Sequence, residues 1–183
     1  MGSGALQNFV GIHPSTSTDT QDASEDLKKA MMTEFNHFDP RVEKIISLSS
    51  HIKRWPLLIH DPLPSWVRGR VVLIGDAAHP MLPFSGQGAA QAMEDAGVLG
   101  CLIKGLDGLD IENALSRFEK IRQNRVARVQ ILSTVRAGQE SRVADKLKPY
   151  LDMTAPQAPL SLVERYMHDF RYDKSVNANE LVV

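Results

Sequence analysis

Residues Gly69 to Gly100 read GRVVLIGDAAHPMLPFSGQGAAQAMEDAGVLG, and the fold turns on this stretch. Val71-Val72-Leu73-Ile74 is an unbroken apolar run rich in β-branched residues, the pattern of a strand buried on both faces of a parallel sheet. Such a strand delivers Gly75 and Asp76 to its carboxyl end, where open α/β sheets place their ligands. A carboxylate at Asp76 accepts hydrogen bonds from ligand hydroxyls, and the glycine before it lets backbone and ligand approach closely. Beyond Pro80 and Pro83 the chain reaches Ser85-Gly86-Gln87-Gly88 and an alanine-rich helix predicted over 86–105. The first N–H groups of a helix lack intrahelical partners and carry partial positive charge, so an anion or a polarised carbonyl is stabilised there. Gly86 and Gly88 leave that helix start uncovered, so a flat ring fits against it.

On the N-terminal side, Leu6 to His13 is a β-prone run, and residues 14–24, rich in Ser, Thr and Asp, read as a mobile loop. Ser24 is placed to cap a helix to about Asn36, and a second short helix is predicted from Arg41 to Ser47. Ser49 to Ile59 reads as extended, and Asp61-Pro62-Leu63-Pro64 as a rigid loop. On the C-terminal side, Asp110 is placed to cap a long helix reaching about Arg136. Its apolar residues Ile111, Ala114, Leu115, Phe118, Ile121, Val129 and Leu132 follow helical spacing. Further helices are expected around 141–151 and 161–171, with a frayed tail after Tyr172. One buried-type strand without a βαβ succession cannot complete a sheet. The expectation is a helix-rich α/β fold whose sheet is incomplete in this chain, divided into 1–60, 61–140 and 141–183.

The 183 residues are 43% hydrophobic and 23% charged, the composition of a soluble globular protein. A net charge of -1 gives no electrostatic reason to expect nucleic acid or an anionic membrane as partner. No apolar run is long enough to span a bilayer. Cys101 is the single cysteine, which excludes an intramolecular disulfide; it is expected in the core. With no signal-peptide pattern at the N-terminus, the expected location is cytoplasmic. The histidines, His13, His37, His51, His60, His79 and His168, lack metal-ligand spacing, and no metal site is expected. His79 is expected to be a structural hydrogen-bonding residue of its loop. Arg117, Lys120, Arg122, Arg125, Arg128 and Arg136 make the long helix basic, and a solvated face covering apolar neighbours accounts for them.

Two other motifs fail on their spacing. Gly86-Gln87-Gly88-Ala89-Ala90-Gln91 has glutamine where a dinucleotide turn needs its last glycine. Ser85-Gly86 lacks the upstream glycine of a nucleophile elbow, having Pro83 there.

The 69–100 stretch resembles the carboxy-terminal GD motif of the FAD-dependent aromatic hydroxylases, the salicylate hydroxylase-like and para-hydroxybenzoate hydroxylase family of flavoprotein monooxygenases. Trp55-Pro56-Leu57, Pro64-Ser65-Trp66, Arg117-Phe118-Glu119, the run from Arg122 to Arg125, and Val129-Gln130 stand in the family's order. The resemblance implies that Asp76 binds the ribityl chain of FAD and that Pro83 lies beside the flavin ring. It also implies that the backbone of Gly86, Gln87, Gly88 and Ala89 faces the flavin pyrimidine edge. It implies NAD(P)H as electron donor, O2 as co-substrate and hydroxylation of an aromatic or related small molecule, and it assigns no catalytic residue.

The family's G-x-G-x-x-G turn for the FAD pyrophosphate does not occur in this sequence, and neither does its mid-sequence Asp-Gly pair; Asp107-Gly108 comes after the GD motif. The chain is therefore read as the C-terminal part of a doubly wound FAD-binding fold, with a remnant of the substrate-domain sheet in 1–60. The expected partners are a small-molecule substrate and either a separate N-terminal flavoprotein half or a second copy. The alternative is a truncated relative without FAD, acting as a cofactor-free catalyst, a binding module or the partner of an N-terminal half.

Overall fold

A computed structural model describes residues 7–14, 24–106 and 110–170. The predicted loop over 14–24, except at its two ends, the Asp107-Gly108 pair and the tail after Tyr172 lie outside the described residues. The chain divides into two compact units, Met1–Leu57 and Leu58–Val183.

In the first unit, α1 (Ser24–Glu34) is followed by α2 (Pro40–Leu48). Asp39 starts α2: its carboxylate accepts from Arg41 N at 2.9 Å, and Pro40 occupies the first turn, where its missing N–H costs nothing. Lys28 ties the two helices by donating to the carbonyls of Ser47 and Ser49 at 2.6 and 3.1 Å. Phe35 is buried with Phe9 and Phe38 around it. The β-prone run before Pro14 forms no strand over its described residues, 7–13.

The second unit holds a short antiparallel hairpin, β1 (Val67–Arg68) with β2 (Val71–Val72), turning through Gly69 at φ 58°. Helices α3 (Gly88–Ile103), α4 (Ile111–Leu132), α5 (Ala144–Leu147) and α6 (Leu162–Phe170) follow. The α3 and α4 predictions hold to within a few residues. Asp110 takes the cap position of α4, with its carbonyl accepting from Ala114 N at 3.1 Å, but its side chain makes no capping bond.

Three expectations are corrected. The run Val71 to Ile74 is not buried on both faces: Val71 is 66% exposed and Ile74 42%, and among the described residues the hairpin is the only sheet. An apolar β-branched run reports local preference for extended backbone, and neighbours must come from elsewhere in the sequence. Cys101 is exposed rather than in the core. The basic row of the long helix is a solvated face only in part: Lys120 and Arg136 are exposed, but Arg122, Arg125 and Arg128 are buried.

The core of this unit lies between the hairpin, α3 and α4, where Trp66, Ala78, Val98, Phe118 and Val126 pack together. A second cluster, Ile131, Leu132, Val135, Val143 and Leu147, packs the end of α4 against α5. From Arg125 to Ser133 every residue of α4 and its cap is buried, so α4 is the central helix of its unit. No described helix is long and apolar enough to cross a membrane.

Candidate functional site: the Gly75–Ala89 turn

After β2 the chain makes a 3₁₀ turn at Gly75–Ala77 that depends on Gly75 at φ 58°, a backbone region that strains side-chain-bearing residues. Its carbonyl accepts from both Ala78 N and His79 N at 2.9 Å, while its N–H donates to Asp95 Oδ2 at 3.0 Å. Asp76 follows, exposed. A second 3₁₀ turn, Pro83–Ser85, ends at Gly86, whose φ of 63° turns the chain into α3.

Gln87 stands at the cap of α3 with no side-chain capping bond, its carbonyl accepting from Gln91 N at 2.9 Å. The N–H groups of the first helical turn therefore have no partner within the helix. A Cβ placed on Gly88 would stand 3.9 Å from Asp76 Oδ1, so the carboxylate and the helix start face each other across the space that glycine leaves free. Of the residues singled out from sequence, Asp76, Pro83, Gly86 and Ala89 are exposed and Gly88 half-buried, whereas Gln87 is only 4% exposed.

Beneath this turn lies a buried polar network. Asp95 on α3 accepts from Gly75 N, from His79 Nε2 at 2.7 Å and, through Oδ1, from Arg122 Nε at 2.8 Å. Burial pushes this carboxyl up, but the bonds from His79 and Gly75 and the Arg122 guanidinium outweigh it and hold Asp95 below the usual carboxylate range. Arg122 also donates to Glu94 Oε2 at 2.6 Å and to the Gln91 side-chain oxygen at 2.9 Å. Glu94, likewise raised by burial, is held low overall by Arg125 and Arg122.

The polar side chains of α4 hold the surrounding loops. Glu119 accepts from Ser65 Oγ at 2.9 Å, Val67 N at 3.2 Å and Trp66 N. Gln123 donates to the carbonyls of Leu63 and Pro64, and Gln130 to those of His60 and Pro80. The Ser133 hydroxyl donates to the Gln130 carbonyl and accepts from Leu82 N at 3.1 Å. Farther along, Arg128 pairs with Asp152 at 2.8 Å, and Arg125 reaches the His168 and Asp169 carbonyls at the end of α6.

His79 thus has the structural bonding role expected from sequence. Asp95, Glu94 and Ser133 were not singled out by sequence reasoning, and Glu119 and Gln130 were named only for their place in the family's order. Their signal was present: charged and amide side chains at helical spacing among apolar ones, with Glu94-Asp95 on one helix and Arg122 and Arg125 on the next. Among the described residues no three His, Cys, Asp or Glu side chains group as a metal site.

The chemistry available at the turn is that of a carboxylate beside a helix N-terminus, both accessible. The carboxylate accepts from hydroxyls, and the helix start donates to a carbonyl or anion. FAD offers both, ribityl hydroxyls and a carbonyl-edged ring, so these residues fit the flavin-proximal part of that cofactor.

Comparison with known proteins points to the same cofactor. Residues 12–133 match the family described as "FAD binding domain". The chain belongs to this family. It is 36% identical over 177 residues to FAD-dependent monooxygenase cfoG of Aspergillus candidus, covering 93% of this chain and 40% of that one. It is 40% identical over 109 residues to 6-hydroxynicotinate 3-monooxygenase of Pseudomonas fluorescens, covering 60% of this chain and 28% of that one. Among solved structures, Klebsiella pneumoniae HpxO complexed with FAD and uric acid matches with TM-score 0.54 and 25% identity, over 90% of this chain and 39% of that one. CtdE in complex with FAD and a substrate shares the fold, with TM-score 0.63 and 23% identity over 93% of this chain and 40% of that one. The chain thus spans at most about 40% of the length of these relatives.

Proposed function

We propose that this chain forms the flavin-proximal part of an FAD-dependent monooxygenase that hydroxylates an aromatic or related small molecule with NAD(P)H and O2. The observation that carries the reading is Asp76 facing the open start of α3 across Gly88. When bound, FAD supplies the redox chemistry. Asp76 accepts hydrogen bonds from its ribityl hydroxyls, the backbone from Gly86 to Ala89 faces its pyrimidine edge, and Pro83 borders the ring. The helix N-terminus stabilises negative charge that develops there.

On this reading the second unit is the C-terminal part of a doubly wound FAD-binding fold. Residues 1–60 belong to the substrate domain, and a dinucleotide-binding half supplies the pyrophosphate contacts. The setting is cytoplasmic. Relatives named for hydroxylation of 6-hydroxynicotinate and 3-hydroxybenzoate support the choice of aromatic substrate.

The test is FAD titration of the purified chain, followed by flavin absorbance and fluorescence and by thermal unfolding. Quenched flavin fluorescence and a raised melting temperature are expected. Unfolding that is indifferent to FAD overturns this reading for the chain and favours a cofactor-free relative.

A further inference from the structure

We propose that Asp95 is a positioning residue for the flavin contact, setting the direction of Asp76 by holding the Gly75 N–H from inside the protein. The proposal rests on the reading that Asp76 binds FAD. Asp95 is fully buried and 19 residues from Asp76 in sequence, yet it reaches the N–H of Gly75, the residue immediately before Asp76. Both sides of Gly75 are thereby fixed, its N–H by Asp95 and its carbonyl by the Ala78 and His79 N–H groups. The 3₁₀ turn leaves Asp76 little freedom except in its own side chain.

The same helix also presents the open N-terminus at Gly88 that Asp76 faces. One rigid element therefore sets both halves of the contact: the backbone bearing the carboxylate and the helix start opposite it. Asp95 is itself aimed. His79 Nε2 and Arg122 Nε grip its two oxygens at 2.7 and 2.8 Å, and all three side chains are fully buried. Because Asp95 accepts at both oxygens, Nε2 is the ring nitrogen of His79 that donates to it; His79 Nδ1 has no partner among the described residues. Asp95 does not touch the space open to a ligand, so its effect on FAD passes through Gly75.

The experiment compares wild type, Asp95→Asn, His79→Gln, His79→Phe and Asp76→Ala, each as the full chain. FAD affinity is measured by fluorescence, and Gly75 amide exchange by ¹⁵N NMR without ligand. Asp95→Asn is expected to speed Gly75 exchange and weaken FAD binding by about tenfold or more, the loss of a buried charge-assisted bond. If that variant does not fold, the histidine pair decides. His79→Gln, which keeps a donor, should stay close to wild type; His79→Phe should speed Gly75 exchange and weaken FAD. Asp76→Ala should abolish binding and leave the Gly75 amide protected. A Gly75 amide that exchanges freely in wild type, or His79→Phe and Asp95→Asn variants that bind FAD like wild type, overturns the positioning role. Wild type that ignores FAD while its Gly75 amide is protected instead overturns the functional reading, and the flavin role of Asp95 with it.

Discussion

Arg125 meets Glu94 fork to fork, Nε to Oε2 at 2.8 Å and Nη2 to Oε1 at 2.7 Å, joining α4 to α3 below the turn that carries Asp76. The Arg125 side chain is 5% exposed. Glu94 is 21% exposed and keeps its bond from Arg122, so Arg125→Ala loses two charge-assisted bonds without stranding the carboxylate and should lower stability by about 1–3 kcal/mol. Arg125→Lys should recover only part, because an ammonium cannot reproduce two parallel bonds. Urea denaturation of the three proteins measures this; equal midpoints would show the pair to be dispensable.

Acid should destabilise the fold along a particular curve. Glu94, Asp95 and Asp152 are all held low despite burial, the last by Thr154 and Arg128. A group whose folded pKa is depressed contributes stability that is complete above its unfolded pKa, about 4, and lost as pH falls through the folded value. The urea midpoint should therefore be insensitive to these carboxylates from about pH 7 to 5 and fall steeply below about pH 4. Asp152→Asn should make that acid fall shallower, and a steep loss already between pH 7 and 5 would contradict the assignment.

Gly86 and Gly88 separate backbone strain from ligand space. Gly86→Ala places a side chain at φ 63° and should cost about 1 kcal/mol. Gly88→Ala should leave the melting temperature unchanged or higher, since its Cβ meets Asp76 Oδ1 at an ordinary 3.9 Å and alanine favours helix. It should nevertheless weaken FAD binding by filling the gap. Affinity equal to wild type would place the flavin elsewhere.

The long helices were readable because apolar spacing and alanine content act locally, and Asp76 and Gly86 stood out because a glycine turn next to a helix start has few uses. The interior fate of Arg122, Arg125 and Arg128 was not readable. A charged residue in a helical pattern looks the same whether it meets water or a carboxylate, and Glu94 and Asp95 lie 27 to 31 residues away in sequence from the guanidiniums they bind. Val71 to Ile74 misled for the opposite reason. Its residues carry a local preference for strand, whereas burial on two faces depends on neighbours that the run itself does not encode.

Glu119 offers a test of the hairpin's attachment. Glu119→Ala leaves the Trp66 and Val67 N–H groups without their acceptor, which should cost about 1–3 kcal/mol. Hydrogen exchange at Trp66 and Val67 should accelerate before exchange in α3 changes. Uniform acceleration throughout the unit would mean that the hairpin has no independent opening.

The bonds that α4 sends to the loops through Glu119, Gln123, Gln130 and Ser133 end, with the exception of Ser65 Oγ, on main-chain atoms. Such a helix gauges the course of the chain around the turn and is blind to what that chain displays. His60 and Leu82 are thereby free to diverge among relatives, or in a mutant library, while the loop keeps its path. The four gripping side chains have no such latitude. Variation in this region should accordingly collect on the loops and spare one stripe of α4.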